Sequence, residues 1–205
     1  METLAQIDSE IAKCMDCMLC KNRTTTVPGE GPVDARIMFI GEAPGFNEDQ
    51  QGRPFVGAAG RLLGEILGKV NFSRQQVYIT NTVKCRPLNN RDPLPGEMAA
   101  CRKYLDRQIR MVNPEIIVTL GRHSLGNLFP GETIGNARGK PRNLDGRIVV
   151  PIYHPAAALR QQRFRQTIEE DMIKVVQILD TKDSSMLDES SPNSQDNAPN
   201  QLSMF

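Results

Sequence analysis

Four short runs of consecutive apolar residues stand out along the chain, and segments with helical spacing lie between them. The runs are Ile37–Ile40, Val77–Thr80, Ile116–Leu120 and Ile148–Ile152. Continuous apolar runs of this length are typical of strands that are buried on both faces. The helical patterns cover Leu4–Cys20, Ala58–Val70, Gly96–Val112, Ser124–Leu128 and Phe164–Leu179. This alternation predicts an α/β fold with a parallel sheet and helices on both of its faces.

Polar residues dominate the chain after about residue 180. Such a segment has too little apolar area to offset the entropy of the chain. We therefore expect a folded domain over residues 1–180 and a disordered tail over residues 181–205. Residues 183–205 hold four acids and no basic residue, so the chain's net charge of +1 conceals a basic excess in the folded part. That excess permits a polyanionic partner but does not require one.

The cysteines change this picture most, because four of the five form two pairs that are far apart in sequence. Cys14 and Cys17 make a C-x-x-C, and Cys85 and Cys101 flank the basic, proline-rich segment KCRPLNNRDPLPGE. Four thiolates arranged in this way can enclose a zinc ion or an iron–sulfur cluster. The wide second pair favours the cluster, since a zinc ribbon usually repeats the short spacing. Cys20 could also pair with Cys17, but we expect it to be a small buried apolar residue.

The start of the chain indicates where the protein works. No apolar run approaches the length of a membrane span. The first ten residues, METLAQIDSE, lack the basic start and apolar core of a signal peptide. We therefore expect a cytoplasmic protein without a membrane partner, in which the thiols stay reduced and disulfides are disfavoured.

Polar residues that could bind a ligand or take part in a reaction follow the predicted strands. They lie at the carboxyl ends of the strands, where ligands bind in parallel sheets. Asn81 follows the second strand and offers one amide donor and one acceptor to a nucleobase edge, although a turn or cap is the commoner use of asparagine. His154 follows the fourth strand and is a candidate acid or hydrogen-bond donor. His123, after the third strand, is typical of a helix start without a catalytic role. The glycine-rich loop Gly41–Gly57 follows the first strand and on its own is weak evidence for a ligand site.

Taken together, four segments occur in an order and spacing that resemble the family 4 uracil-DNA glycosylases, the iron–sulfur branch of that superfamily. The segments are GEAPG, GRPFVGAAGRLL, YITNTVKCRP and HPAAALR. The resemblance covers about Cys14 to Arg160 and implies a three-layer α/β/α fold around a four-stranded parallel sheet. It also implies a [4Fe-4S] cluster. In the family the first cysteine pair stands at a fixed distance before two segments that correspond here to Arg23-Thr24 and Gly29-Glu30-Gly31. The resemblance therefore implies Cys14 and Cys17 as ligands beside Cys85 and Cys101, and it leaves Cys20 spare.

The resemblance also implies roles for residues that recognise the base. The Gly41–Ala43 backbone would line the uracil pocket, and Phe55, which by itself is expected to be a core contact, would stack on the base. Asn81 would pair with the Watson–Crick edge of uracil, so that cytosine, with its reversed donor and acceptor pattern, is rejected. His154 would donate to the uracil oxygen on which negative charge grows.

The resemblance is less specific about the attacking water. Well-studied relatives carry G-Q-D-P-Y, and here Ala43 replaces the water-positioning acid. Glu42 is therefore our first candidate to position the water, and Glu48 is the second. Gly45 replaces the tyrosine that blocks the methyl group of thymine, so exclusion of thymine falls to another group, for which Glu48 is the candidate.

The resemblance implies a monofunctional enzyme that flips uracil out of single- or double-stranded DNA and hydrolyses its N-glycosidic bond, which starts base excision repair. The motifs contain no lysine that could form a Schiff base. The residues expected to contact DNA are Lys84, Arg86, Arg91, Leu159 and Arg160. One alternative is a uracil-DNA binding protein without turnover, which the absence of histidine from Arg86–Gly96 disfavours. A second alternative is an iron–sulfur module associated with replication, which would leave Asn81 and His154 unexplained.

The end of the chain, Gln201-Leu202-Ser203-Met204-Phe205, resembles the pentapeptide that binds the bacterial sliding clamp. Gln201 would hydrogen-bond at the rim of the clamp pocket, and Leu202, Met204 and Phe205 would fill an apolar groove. The tail would then tether a monomeric enzyme near newly made DNA, at the bacterial nucleoid.

Overall fold

A computed structural model describes residues 2–189, with side chains described as far as Thr181. Its central layer is a five-stranded sheet in the order β2-β1-β3-β5-β4. The strands are β1 (Ile37–Gly41), β2 (Tyr78–Asn81), β3 (Ile116–Leu120), β4 (Arg142–Leu144) and β5 (Arg147–Ile152). Four of them, β1, β2, β3 and β5, pair in parallel and coincide closely with the four predicted runs.

The fifth strand was not predicted. β4 pairs antiparallel with β5 at the edge of the sheet, and its side chains are exposed or half-buried. An edge strand of this kind needs no continuous apolar run, so the apolar pattern could not reveal it. The Asp145-Gly146 dipeptide between the two strands has positive φ at both residues. Such a pair is a strong signal for a tight hairpin turn, and this signal could have found β4.

Helices cover both faces of the sheet and complete the predicted three layers. They are α1 (Leu4–Lys13), α2 (Phe46–Gln51), α3 (Ala58–Lys69), α4 (Pro95–Val112), α5 (Arg122–Leu128), α6 (Ile134–Ala137), α7 (Pro155–Arg160) and α8 (Arg163–Glu189). One apolar core joins α3, α7 and α8 to the face that carries Phe39 and Val118. The other joins α4 to the face that carries Met38 and Ile117. None of the described helices combines the length and the apolar character needed to cross a membrane.

Two predicted helix boundaries were wrong. The first helix ends at Lys13 rather than at Cys20, because the backbone is extended at Cys14 and again at Cys17 before a short 3-10 turn. The final helix continues to Glu189, so the domain boundary expected at residue 181 lies inside a helix. No proline or glycine interrupts the sequence from Thr181 to Glu189, and the Thr181 hydroxyl donates to the Gln177 carbonyl one turn earlier.

The topology brings the carboxyl ends of four parallel strands to one edge of the sheet. Gly41 at the end of β1 is in register with Asn81 at the end of β2. β3 leads into Gly121, whose φ of 90° turns the chain into α5, and a Cβ on this glycine would lie 3.1 Å from the Cβ of His154. The first three strand ends and His154, two residues after β5, thus form one site.

Candidate active site

A cleft of about 460 Å³ opens at this edge of the sheet. It brings together eight residues that the sequence predicted for the site: Glu42, Ala43, Glu48, Phe55, Asn81, Arg91, His154 and Arg160. The same cleft is also lined by residues that were not predicted for it, among them Asp92, Gly121 and Arg122.

The inner end of the cleft is built from groups that approach each other closely. A Cβ added to Gly41 would lie 2.3 Å from the Asn81 side-chain oxygen and 2.7 Å from the Phe55 ring, so only glycine fits between them. The Phe55 ring also stacks on the His154 imidazole, with 5.6 Å between the ring centroids and 27° between the planes. Phe55 is therefore both a core residue, as its burial shows, and part of the cleft.

The backbone of Phe55 is held in an unusual conformation by residues that the sequence reasoning missed. Its φ of 52° lies in the left-handed region, which costs a bulky residue about 1–3 kcal/mol. Arg74 donates to the carbonyl oxygen of Phe55 at 2.8 Å and also to that of Pro54. Glu30 accepts from both Arg74 and Arg53, each at 2.7 Å. This network fixes the position of the Phe55 ring.

His154 is poised as a neutral hydrogen-bond donor. Its Nδ1 accepts from the backbone N–H of Ala156 at 3.1 Å, at the start of α7. A neutral imidazole whose Nδ1 accepts carries its proton on Nε2. Burial lowers the pKa of His154 to about 4, although the nearby Glu48 carboxylate opposes that shift. The ring is therefore neutral at physiological pH, with Nε2–H as its donor.

The two candidate acids differ in what holds them. The Glu48 carboxylate accepts backbone N–H bonds from Val56 at 2.9 Å, Gly57 at 2.8 Å and Gly45 at 3.1 Å, so it shapes the loop. Burial raises the pKa of Glu42, which is half-buried beside the cleft. Unlike Glu48, Glu42 does not use its carboxylate to accept hydrogen bonds from the loop backbone. This difference is consistent with Glu42 as the first candidate to position the water.

All five cysteines line a second, smaller cavity between α1, the loop after β2 and α4. Arg23 donates to the sulfur of Cys85 at 3.1 Å. Burial raises the pKa of the Cys101 thiol to about 11, so positive charge is needed to hold the thiolate there. Cys20, expected to be a buried apolar residue, is only partly buried and lines the same cavity.

The spacing of the sulfurs distinguishes between a zinc ion and a larger group. In the described part of the chain, no three cysteine sulfurs lie within 4.8 Å of one another. Four thiolates on one zinc ion, with zinc–sulfur bonds of about 2.3 Å, would place the sulfurs about 3.8 Å apart. The cysteine sulfurs are therefore not gathered around a single tetrahedral zinc ion in this structure.

Comparison with known proteins identifies the family. Residues 28–177 match the model of the uracil-DNA glycosylase superfamily. The type-4 uracil-DNA glycosylase of Saccharolobus solfataricus is 50% identical over 192 residues, which cover 89% of each protein. The type-4 enzyme of Sulfurisphaera tokodaii is 51% identical, covering 85% of this chain and 84% of the relative, and that of Archaeoglobus fulgidus is 45% identical, covering 92% and 99%.

The chain belongs to the type-4 uracil-DNA glycosylases. The family predicted from four short motifs is thereby confirmed, and so is the fold class, with β4 as an additional edge strand.

One predicted DNA contact of this type-4 glycosylase was wrong. Lys84 is only 1% exposed, and its ammonium donates to the Thr80 hydroxyl at 2.6 Å, the Asn81 carbonyl at 2.7 Å and the Gln108 side chain at 2.7 Å. A lysine used in this way cannot reach a phosphate. It instead ties the end of β2, where Asn81 lies, to α4, and sequence alone gave no sign of its burial.

The other predicted contacts lie at the surface around the type-4 cleft. Arg86 is placed over the Phe46 ring at 5.0 Å, and Arg91 forms a bidentate ion pair with Glu97 at 2.6 and 2.9 Å. Leu159 is 53% exposed on α7, next to Arg160 at the rim of the cleft. The residues predicted to bind a sliding clamp, Gln201, Leu202, Met204 and Phe205, lie outside the described residues.

Proposed function

We propose that this chain flips uracil out of DNA into the cleft and hydrolyses the bond between the base and the sugar, as a monofunctional glycosylase. The observation that carries this proposal is the convergence of Asn81, Phe55 and His154 at the inner end of one cleft. A flipped base needs a stacking surface, a polar partner for its edge and a donor for its leaving charge. These three side chains supply one of each.

The geometry supports a proposal for how the base is recognised and how it leaves. Asn81 would pair with the Watson–Crick edge of uracil, and the Phe55 ring would lie against its face. As the glycosidic bond breaks, its electron pair moves into the uracil ring, and negative charge grows on a carbonyl oxygen. The Nε2–H of neutral His154 would donate to that oxygen, and a preorganised donor of this kind acts most strongly on the charge of the transition state.

Hydrolysis needs a water on the opposite side of the sugar carbon. Glu42 would position this water, whose oxygen bonds to the sugar carbon while its proton is released. No lysine is found among the described residues that line the cleft, so a Schiff base and strand cleavage are not expected. Glu48 would keep its role in the loop and, through that loop, restrict the space for a thymine methyl group.

Uracil release from single- and double-stranded oligonucleotides tests the proposal. We expect free uracil and an intact strand with an abasic site. A borohydride-trapped adduct would contradict the monofunctional mechanism. An adduct that survives denaturation without borohydride, or tight binding without release, would favour the alternative of a binding protein without turnover. Release of no base from any substrate would leave the replication-associated module as the better explanation.

We also propose that Cys14, Cys17, Cys85 and Cys101 hold a [4Fe-4S] cluster, which would supply the positive charge that the buried thiolates need. Four cysteine ligands would leave no open position on the cluster for DNA, so the cluster would be structural. It would join α1 to the basic segment after β2 and so hold Arg86 and Arg91 at the mouth of the cleft, where they would contact phosphates and add salt-dependent affinity.

Substitution of single cysteines tests this ligand set. Cys85→Ala is expected to lose most of the bound iron and sulfide and to lower the thermal midpoint, because a structural metal group contributes directly to folding free energy. Cys20→Ala, the matched variant from the same cavity, is expected to keep the cluster. Iron and sulfide analysis with visible absorption measures both. Loss of the cluster in Cys20→Ala with retention in Cys14→Ala would show that the wrong pair was chosen.

The tail supports a further proposal, that Gln201, Leu202, Met204 and Phe205 bind a bacterial sliding clamp and that the tail from residue 190 is their tether. Removal of residues 201–205 is expected to abolish binding to the clamp and to leave uracil release from a short oligonucleotide unchanged. Surface plasmon resonance on immobilised clamp measures the first effect. Equal binding by truncated and full-length proteins would contradict the proposal.

A further inference from the structure

Four charged or titratable side chains meet at the rim of the cleft, and the proposed chemistry uses only one of them. We call Glu42, Asp92, Arg122 and His123 the rim cluster. Its members come from the loop after β1, the segment before α4 and the first turn of α5. One ligand-type atom from each of Glu42, Asp92 and His123 lies within 4.8 Å of the others.

The contacts inside the rim cluster are specific. The Nε of Arg122 donates to the Nε2 of His123 at 3.0 Å, and the same guanidinium also bonds to the Asp92 carboxylate. The Nε2 of His123 lies 3.3 Å from an Asp92 oxygen and 3.8 Å from a Glu42 oxygen. His123 is the more enclosed partner, with 19% of its side chain exposed against 67% for Arg122. The imidazole therefore stands between two carboxylates.

These neighbours act on Glu42 in opposite directions. Burial raises the pKa of Glu42, and the like charge of Asp92 raises it further, whereas His123 and Arg122 lower it. The remaining charged residues of the cleft are Glu48, which the loop backbone holds, and Arg91 and Arg160. His123 and Arg122 thus oppose Asp92 over the ionisation of the acid that the hydrolysis needs.

We propose that His123 and Arg122 are positioning residues that keep Glu42 ionised at the cleft, with Asp92 as the opposing charge. This inference rests on the proposed role of Glu42. A protonated His123 would present a donor to Asp92 and Glu42 in place of the nitrogen that accepts from Arg122, and its positive charge would oppose protonation of Glu42. The exposed Arg122 side chain can move aside and keep its bond to Asp92.

The proposal predicts shifts of opposite sign in the acid limb of the pH–rate profile. Protonation of Glu42 stops hydrolysis, so the rate falls as the pH drops through the pKa of Glu42. Arg122→Gln removes a cation, and His123→Gln removes a group that carries positive charge when protonated. Each is expected to move the acid limb to higher pH by about 0.5–1 unit, the size of a charge pair at this distance in a watery site. Asp92→Asn removes an anion and is expected to move it to lower pH.

Single-turnover uracil release between about pH 4.5 and 8 measures these shifts. Arg110→Gln, which makes the same charge change at the far end of α4, is the matched control and is expected to leave the acid limb in place. In the Glu42→Gln background, the shifts from the three rim substitutions are expected to disappear. Equal acid limbs in the wild type, His123→Gln and Asp92→Asn would overturn the proposal.

Titration of the Glu42 carboxyl carbon by ¹³C NMR, assigned with Glu42→Gln, reads the same effect without turnover. This separates two failures. A Glu42→Gln variant with the wild-type rate would refute the role of Glu42 in catalysis, while a titration curve unmoved by His123→Gln, Arg122→Gln and Asp92→Asn would refute the inference. A titration that changes with EDTA or with added Mn²⁺ would show that the rim cluster binds a metal, and would also overturn it.

Discussion

Replacement of His154 by alanine is expected to lower the single-turnover rate of uracil release about 100- to 1,000-fold, the effect of removing one preorganised donor. The structure supports this role, because Nδ1 is occupied by the Ala156 N–H, which leaves Nε2–H as the donor of a residue that lines the cleft. Binding of uracil-containing DNA is expected to change far less, since this donor acts mainly on charge that develops in the transition state. Rapid-quench kinetics and equilibrium binding to the same oligonucleotide separate the two effects.

The pH dependence of this loss distinguishes a neutral donor from a charged acid. Because burial lowers the pKa of His154 to about 4, the ratio of wild-type to His154→Ala rates should stay constant from about pH 8 to pH 5. A ratio that rises as the pH falls through about 6.5 would indicate an imidazolium and contradict the assignment. His154→Gln, which keeps an N–H donor, is the matched variant and should retain more activity than His154→Ala.

The lowered pKa of His154 also makes the stability of the protein depend on pH, and linkage gives the direction of that dependence. Between the ordinary value of 6.5 and the folded value of about 4, the unfolded chain binds a proton at His154 that the folded chain excludes. The free energy of unfolding should therefore fall as the pH drops through this window. The free energy of unfolding of His154→Gln should fall less over the same window. Urea unfolding of the two proteins at several pH values measures the difference.

Residues at strand ends were predictable because their positions follow from local pattern and topology alone. An apolar run marks each parallel strand, and the carboxyl ends of such strands must meet at one edge. Asn81 and His154 could therefore be placed near each other before any contact was known, and the motifs added Phe55. The resemblance to the family carried the rest of the predicted base-recognition site.

Contacts between distant segments were not predictable in the same way. Lys84 stands in a basic segment and has the composition of a phosphate contact, yet it is buried against Gln108, a partner 24 residues away. His123 has the spacing of a helix start, which it is, but its ring reaches Glu42 across the edge of the sheet. Sequence pattern reports the periodicity of an element and not which side chains of two elements meet.

Replacement of Gly60 by alanine is expected to lower the rate of uracil release about 100-fold, the cost of displacing a positioning group by about 1 Å. A Cβ at this position in α3 would lie 1.7 Å from the carbonyl oxygen of Phe55, which also accepts from Arg74. The obstacle is backbone rather than a flexible side chain, so the segment that holds the Phe55 ring must move. Overpacking of this kind should also lower the free energy of unfolding by about 1–3 kcal/mol.

Gly64→Ala, one turn further along the same helix, is the matched control. A Cβ there would meet nothing within 4 Å, and alanine favours a helix over glycine by about 1 kcal/mol. This variant should be as active as the wild type and equally or more stable. Thermal unfolding compares the stability of Gly60→Ala and Gly64→Ala. Single-turnover kinetics, measured well below the thermal midpoints of both variants, compare their rates. If Gly60→Ala matched Gly64→Ala in rate and stability, the close approach of α3 to Phe55 would have no part in positioning the base, because only the alanine at position 60 would strike the Phe55 backbone.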